Sequence, residues 1–232
     1  MSAPKIGTDG VECWYAQYWA QSWYRNTYLV NDPRQIARQR RDERDWNNLY
    51  DSGCNFVCVS TILQIEPARL ASLLGERHFF KADRCIRARN IRGEAVSLVW
   101  DQNQPNTRRR QVRLRHVWDT VRQRYVTLAL RFVAEDFTFD HDDGKRIVAM
   151  ARRRGEHVIC GARDHSHLVA GRTDGDFYLW DPDDTEIPVE DSLGGRLRLS
   201  HLFARYIDEP IEFWRYSVTR IVEAPRNSRA RG

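Results

Sequence analysis

The chain of 232 residues has almost no lysine and no long apolar run. Both features limit the kinds of partner that it can have. Lysine occurs at only three positions among 37 basic residues, so the positive charge is nearly all arginine. Arginine clusters can bind phosphates, but 32 acidic residues are spread among the basic ones and reduce the net charge to +5. We therefore expect no nucleic-acid partner. No apolar stretch approaches the ~20 residues of a membrane span, so we expect no membrane partner either.

The cysteines are few and show no paired spacing. They form no C-x-x-C pair, which argues against a zinc ribbon, and their odd number argues against a disulfide framework. The N-terminus has neither the basic nor the apolar region of a secretory signal. We therefore expect a reducing compartment, either the cytoplasm or one reached by export without a conventional signal peptide. The five residues are Cys13, Cys54, Cys58, Cys85 and Cys160.

Cys54 is the cysteine whose surroundings favour reactivity. It follows the small-residue turn Ser52-Gly53 and precedes an apolar run with three- and four-residue spacings, which predicts a helix that begins at the cysteine. The partial positive charge at a helix N-terminus favours thiolate over thiol, and the thiolate is the nucleophile. The alternative is that Cys54 is a small buried apolar residue, as most cysteines are.

The chain is predicted to hold one main α+β domain with flanking segments. We expect an N-terminal aromatic and charged helical extension (1–44), a main domain (45–224) and a disordered basic tail (225–232). Residues 78–92 are expected to be irregular. Helices are predicted over 11–28, from Cys54 onward, and over 68–74, 145–154 and 199–206; strands are predicted over 95–100, 126–133, 157–162, 165–171, 176–180 and 211–222.

Two of the predicted strands bring a histidine and an aspartate together. His165 begins one strand, Asp181 follows the end of the next, and a turn signal at 173–175 lies between them. Because a short turn brings the outer ends of paired strands together, the two side chains are expected to be neighbours. An imidazole oriented by a carboxylate can activate a thiol. The sequence thus predicts that His165 and Asp181 meet the thiol of Cys54.

These motifs resemble those of the papain-like cysteine peptidases. Within that superfamily they are most similar to the bacterial leader-peptidase type, which processes bacteriocins, and to related effector enzymes. Family members begin a central helix with the nucleophilic cysteine after a glycine, as in Gly53-Cys54. Their histidine begins a strand, here at His165, and their third residue lies in an Asp-Pro strand end, here Asp181-Pro182. The resemblance covers residues 45–75 and 155–183, and it implies a papain-like fold with the central helix packed on an antiparallel sheet.

The resemblance also implies a role for each residue. Cys54 would be the nucleophile, His165 the general base, and Asp181 the group that orients the base. A polar amide six residues before the cysteine helps to form the oxyanion hole in the family, and Asn48 holds that position here. His167 lies on the same strand face as His165 and is the second choice of base. Neither a cofactor nor a metal is implied.

The implied activity is that of a thiol-dependent hydrolase with a Cys-His-Asp triad. The most specific expectation is a cysteine protease of narrow specificity, effector- or toxin-like, that acts on a protein or peptide. Attack on a glutamine side chain would instead make the chain a protein glutamine deamidase, and an amine acceptor would make it an acyltransferase. The sequence carries no signature of the oligomeric state.

Other interpretations assign these residues no thiol chemistry. His165, His167 and Asp181 together can bind a metal ion, or they can form a hydrogen-bonded polar cluster in the core. The chain would then be a catalytically inactive binding module. In that case the aromatic segment 14–28 is the expected contact surface for a partner.

Overall fold

The computed structural model of the chain describes its central sheet and the helices packed on that sheet. The predicted tail at 225–232 and the charged stretch at 34–44 lie outside the described residues. Described are residues 5–6, 12–24, 49–73, 77–81, 85–89, 95–97, 111–119, 123–162, 165–173, 175–183 and 196–222.

Within these ranges the chain forms helices α1 to α5 and strands β1 to β12. The helices are α1 (Leu49–Ser52), α2 (Cys54–Leu63), α3 (Pro67–Leu73), α4 (His141–Arg153) and α5 (Leu199–Arg205), with a 3₁₀ turn at Gln21–Tyr24. The strands are β1 (Lys5–Ile6), β2 (Glu12–Cys13), β3 (Arg77–Lys81), β4 (Cys85–Arg89), β5 (Ala95–Ser97), β6 (Gln111–Asp119), β7 (Arg124–Thr138), β8 (His157–Ala162), β9 (His165–Thr173), β10 (Asp176–Trp180), β11 (Arg196–Arg198) and β12 (Ile211–Val222). No helix among the described residues has both the length and the apolar character that crossing a membrane requires.

One large antiparallel sheet forms the centre of the described fold, and helices pack on it, so the predicted α+β class is confirmed. The strand order is β1-β2-β9-β8-β12-β7-β6. Strand β10 pairs with the edge of β9 that faces away from β8, and β11 pairs with β10. Strands β3, β4 and β5 form a separate small sheet. The long β7–β12 pair and the β8–β9 pair place the beginning of β9 in the middle of the large sheet.

Alternating apolar side chains supply both faces of the sheet with core residues. In β8, Val158 and Cys160 join one cluster with α4 and α5, whereas Ile159 joins a second cluster with α2. Every residue of α2 from Asn55 to Leu63 is buried. Each large apolar side chain buried in this way contributes about 1.5–3 kcal/mol, which fixes α2 against β8 and β9.

The strands with the clearest alternation agree with the predictions. The strands over 157–162, 176–180 and 211–222 are confirmed with the expected bounds. The helix predicted over 145–154 is confirmed but begins at His141, because the carboxylate of Asp140 caps it by accepting the Asp143 N–H at 2.8 Å.

The prediction of irregular structure over 78–92 is wrong for the residues that the structure describes there. Strands β3 and β4 pair as an antiparallel hairpin, with Phe79 opposite Arg87. Charged residues interrupt the apolar alternation in both strands, which is why the sequence pattern did not indicate them.

The amphipathic helix predicted over 11–28 is also wrong within residues 12–24. Glu12–Cys13 is a strand that pairs with β9, and residues 14–20 are irregular. Only Gln21–Tyr24 is helical, as a single 3₁₀ turn. The described part of the N-terminal segment is therefore joined to the central sheet rather than forming a separate helix.

Aromatic side chains of this segment pack on the core of the protein without forming a helix. Tyr15, Trp19 and Tyr24 are buried in the core cluster that contains α2. The close approach of β2 depends on Gly171, because a Cβ there would lie 2.2 Å from the carbonyl oxygen of Glu12.

The burial of His157 makes the fold sensitive to pH. The Tyr15 hydroxyl lies 2.9 Å from Nδ1 of His157. Burial, reinforced by the charges of Arg152 and Arg220, lowers the pKa of His157 to about 3, whereas a histidine in an unfolded chain titrates near ~6.5. Between these two values the unfolded chain binds a proton that the folded protein does not, so the stability decreases as the pH falls.

Replacing His157 by glutamine should flatten this pH dependence, because glutamine takes up no proton but still accepts a hydrogen bond. The slope of the unfolding free energy should decrease by up to about 1.4 kcal/mol per pH unit. Urea unfolding followed by tryptophan fluorescence between about pH 7 and pH 4 measures it. Parallel profiles for the parent chain and His157→Gln would contradict this account.

Candidate functional site

Cys54 lies at the first turn of α2, as the sequence predicted. The residue before it, Gly53, is the N-cap of the helix, and it joins α1 directly to α2. A Cβ on Gly53 would lie 2.1 Å from the carbonyl oxygen of Leu49, so only glycine permits this junction without displacing backbone. The junction holds the thiol at the end of a helix whose other residues are buried.

The β9–β10 hairpin supplies the two polar partners through a register shift. Tyr178 pairs with Gly171, but the next residue, Leu179, pairs with Val169, so Ala170 is the extra residue of a β-bulge. Continuing the shifted register places Asp181 opposite His167 on β9. Opposed residues of an antiparallel pair project from the same face of the sheet. The bulge therefore places the carboxylate of Asp181 and the imidazole of His167 on the same face.

Asp181 is a buried carboxylate that contacts two imidazoles. Its Oδ1 lies 2.6 Å from Nε2 of His165, and its Oδ2 lies 3.4 Å from Nε2 of His167. The carboxylate is 1% exposed. Burial opposes its ionisation, but the interactions with His165 and then His167 outweigh burial and hold the pKa of Asp181 well below its usual value. Asp181 is therefore an anion in the folded protein.

The thiol of Cys54 forms a hydrogen bond with His165. Since Nε2 of that ring is bonded to Asp181, we infer that Nδ1 is the nitrogen that meets the sulfur. Burial opposes ionisation of Cys54, yet His165 together with two hydrogen bonds from Ser166 lowers the pKa of the thiol. Burial likewise disfavours charge on His165, but Asp181 and Cys54 raise the pKa of the imidazole to about 11. The pair therefore favours thiolate and imidazolium.

Ser166 is a site residue that the sequence did not indicate. Its main-chain N–H and its hydroxyl both form hydrogen bonds with the sulfur of Cys54. The amide of Asn55 reaches the same hydroxyl at 3.5 Å, and the Cys58 thiol lies 3.8 Å from the Ser166 carbonyl oxygen. A serine between two histidines on a strand carries no recognisable motif, so only the packing of α2 on β9 reveals it.

The N-terminal segment contacts both sides of the site through Gln21. The main-chain N–H of Gln21 donates to the carbonyl oxygen of Pro182 at 2.6 Å, next to Asp181. Its buried side chain donates to the carbonyl oxygen of Tyr50, on the helix that precedes Cys54. The 3₁₀ turn therefore links the aspartate side of the site to the cysteine side, a connection that no sequence pattern indicated.

Two other residues were assigned to the site from the sequence. Asn48, the predicted oxyanion-hole amide, lies outside the described residues. His167, the second choice of base, is 2% exposed, and burial together with the charge of His165 lowers its pKa despite its contact with Asp181. His167 is therefore neutral.

The same cluster contains the residues that could hold a metal ion. One ligand atom from each of His165, His167 and Asp181 lies within 4.8 Å of the other two. A metal bound to Nε2 of His165 and Oδ1 of Asp181 would replace the short hydrogen bond between these two atoms. The donor set of two imidazoles and one carboxylate suits zinc.

Two other described cysteines, Cys58 and Cys160, differ from Cys54 in their burial. Cys58 and Cys160 are fully buried, and burial raises the pKa of each thiol far above its ordinary value. These two residues are core side chains, and they serve as internal references for the reactivity of Cys54.

Comparisons of the chain with models of protein families, with curated proteins and with solved structures gave no match.

The electrostatics of the site predict how Cys54 reacts with iodoacetamide. The thiolate should persist below the pKa of an ordinary thiol, near ~8.5, so labelling of Cys54 should stay fast at neutral and mildly acidic pH. In His165→Ala the imidazole is lost, burial then dominates, and labelling near neutral pH should slow at least tenfold, about one pKa unit. Mass spectrometry of the native protein locates the label. Labelling that is slow until alkaline pH, or equal among the cysteines, would contradict the prediction.

A second variant distinguishes the two histidines. His167→Gln retains a side-chain N–H that can donate to Asp181, so Cys54 should keep most of its reactivity, with a loss below about threefold. If His167 were the group that activates the thiol, His167→Gln would slow labelling as strongly as His165→Ala does. Measuring both variants in the same pH series decides between the two bases.

Proposed function

We propose that the chain is a thiol-dependent hydrolase of papain-like fold, and most specifically a cysteine protease of narrow specificity. One observation carries the proposal. The half-buried thiol of Cys54 is hydrogen-bonded to His165, whose other ring nitrogen lies 2.6 Å from the buried carboxylate of Asp181. A nucleophile, a base and a group that orients the base are the elements of nucleophilic acyl transfer.

In the first step the thiolate attacks an amide carbonyl of the substrate. A C–S bond forms, and the negative charge moves to the carbonyl oxygen. The tetrahedral intermediate then collapses as the C–N bond breaks, while the protonated His165 gives its proton to the departing amine. Asp181 stabilises the imidazolium until that transfer and holds the ring in orientation, which leaves Cys54 as a thioester.

In the second step water resolves the thioester. His165, now neutral, removes a proton from the water, and the hydroxide attacks the acyl carbon. The C–S bond breaks, an acid is released, and the proton returns the site to the thiolate–imidazolium pair. The main-chain N–H of Cys54 is suited to bind the oxyanion, since the first N–H groups of a helix have no intrahelical acceptor. One such donor is worth roughly 10²–10³ in rate, and Asn48 is the proposed second donor.

The fold and the chemistry support each other in this proposal. The nucleophile begins a buried helix that packs against an antiparallel sheet, and the base begins a strand of that sheet. Rigid elements thus hold all three groups, which proximity-based catalysis requires. A reactive thiolate suits a reducing compartment, so we propose that the activity belongs to such a compartment, as the cytoplasm is.

The same site would also serve two related reactions. Attack on a glutamine carboxamide would release ammonia and leave glutamate, which is deamidation, and resolution of the thioester by an amine would be acyl transfer. No contact near Cys54 among the described residues selects one acceptor or one acyl group. A protein glutamine deamidase or an acyltransferase is therefore the alternative proposal on this site.

The deciding experiment exposes a mixture of bacterial and eukaryotic lysate proteins to the purified chain, with a primary amine present. Mass spectrometry then detects new peptide N-termini for proteolysis, glutamine-to-glutamate conversion for deamidation, or amine attachment for acyl transfer. Cys54→Ala should lower the rate of the observed change about a thousandfold or more, and His165→Ala should act similarly.

Cys58→Ala is the matched control, because it removes a neighbouring thiol that has no proposed role. Its effect should be limited to stability, about 1–3 kcal/mol for a small cavity and a lost contact. If every modification persists unchanged in Cys54→Ala, the hydrolase proposal fails.

A proposal of another class rests on Trp23. This side chain is 66% exposed, whereas Trp19 in the same aromatic segment is buried. If the chain is an inactive binding module, Trp23→Ala should abolish capture of its partner while Cys54→Ala should leave capture intact. Trp19 is not a suitable probe, because replacing a buried tryptophan would destabilise the core.

A further inference from the structure

A groove lies at the opposite end of the β9–β10 hairpin from Cys54. Helix α4 forms one wall along its whole length. Strand β2 and the end of the hairpin at which β9 turns into β10 form the other wall. Its volume is about 930 Å³. Asp176 lies in this groove and Asp181 in the candidate active site, five residues farther along, which corresponds to about 17 Å of strand. The groove is therefore a separate site on the same hairpin.

The acidic groups of the groove are already engaged. Asp142 pairs with Lys145 at 2.8 Å, and Asp140 caps α4. Asp176 lies 3.2 Å from Nε2 of His141 and accepts hydrogen bonds from both the N–H and the hydroxyl of Ser200. The carboxylate of the remaining acid, Glu12, accepts the indole N–H of Trp14 at 3.1 Å and lies on the strand opposite Arg172.

Within the described part of the chain, positive charge is left unpaired on both walls of the groove, on α4 and on β9. Arg153 and Arg172 both line the groove, are exposed, and have no ion-pair partner among the residues that the structure describes. The guanidinium carbon of Arg152 lies 4.0 Å from the centre of the Trp14 ring. The centres of the Trp14 and Phe177 rings are 6.0 Å apart. This stacking fixes one guanidinium in advance, which lowers the entropic cost of binding an anion.

We propose that this groove binds an acidic segment of a peptide chain. Three guanidinium groups favour carboxylates, with which arginine forms two parallel hydrogen bonds, and Ala149 and Phe177 add apolar surface between them. Two of the three arginines, Arg152 and Arg153, lie at the C-terminal end of α4, where the helix presents carbonyl groups and no free N–H groups. A phosphate site built on main-chain N–H groups is therefore not available there. A helix of thirteen residues is about 20 Å long, long enough for six extended residues.

On the proposed function this acidic segment belongs to the substrate and holds it while another part reaches Cys54. Only that identification rests on the proposed function. Binding itself needs no catalysis, and it can be measured with Cys54→Ala protein. If no acidic peptide bound in the groove, the proposed chemistry of Cys54 would still stand. If Cys54 had no activity, peptide binding in the groove would still stand.

The test uses a fluorescein-labelled octapeptide of alternating glutamate and leucine, with fluorescence anisotropy as the readout. The matched probe replaces each glutamate by glutamine. Arg153→Glu and Arg172→Glu should each weaken binding of the glutamate peptide about fivefold, since each removes one ion pair and adds repulsion. Arg154→Glu is the control variant, because Arg154 is also exposed and adjacent in sequence but does not line the groove. It should change the affinity less than twofold.

Three results would overturn the proposal. Equal weakening by Arg154→Glu would mean that the net charge of the whole chain attracts the peptide. Equal binding of the glutamine peptide would mean that carboxylates are not recognised. Displacement of the peptide by inorganic phosphate, and not by chloride at the same ionic strength, would make the groove a phosphate site. Circular dichroism of each variant verifies that the fold is retained.

Discussion

The buried carboxylate of Asp181 is the constraint on which the candidate site depends. An isolated charge removed from water is costly, and at 1% exposure this carboxylate is held in place only if positive charge and hydrogen bonds meet it. His165 meets Oδ1 and His167 faces Oδ2. The positive charge that Asp181 needs is the same charge that stabilises a thiolate on Cys54. The stability of the carboxylate in the core and the ionisation of the thiol are therefore coupled through one imidazole.

The extra residue in β9 determines whether this coupling exists. Had the register of Asp176 and Thr173 continued unchanged, Asp181 would face Leu168, and its side chain would project into the apolar cluster around α2. The bulge at Ala170 moves it to the other face. The carbonyl oxygen of Ala170 accepts hydrogen bonds from the N–H of Trp14 at 2.9 Å and from the hydroxyl of Tyr18 at 3.1 Å. The aromatic N-terminal segment thus stabilises the irregularity that forms the site.

Local patterns in the sequence were enough for some of this arrangement and not for the rest. The alternation in β8 and β12 and the turn between β9 and β10 indicate strands directly, so the proximity of His165 to Asp181 follows from a short hairpin. The bulge leaves no such mark, because the glycine beside Ala170, Gly171, is required by the close approach of Glu12 and does not by itself indicate an extra residue. Aromatic residues three and four apart suit a helix, but they suit an irregular segment packed on a core equally well. Ser166 depends on a contact between distant segments, which no local pattern encodes.

The separation of Cys54 from its partners in the sequence has a consequence for how the protein is made. His165 follows Cys54 by 111 positions. At about 5–20 residues per second of synthesis, roughly 5–20 s pass between the appearance of the two residues. Throughout that interval the thiol has no imidazole beside it and keeps the reactivity of an ordinary cysteine. A growing chain of this design carries a dormant nucleophile, and the thiolate forms only after the sheet has closed over α2.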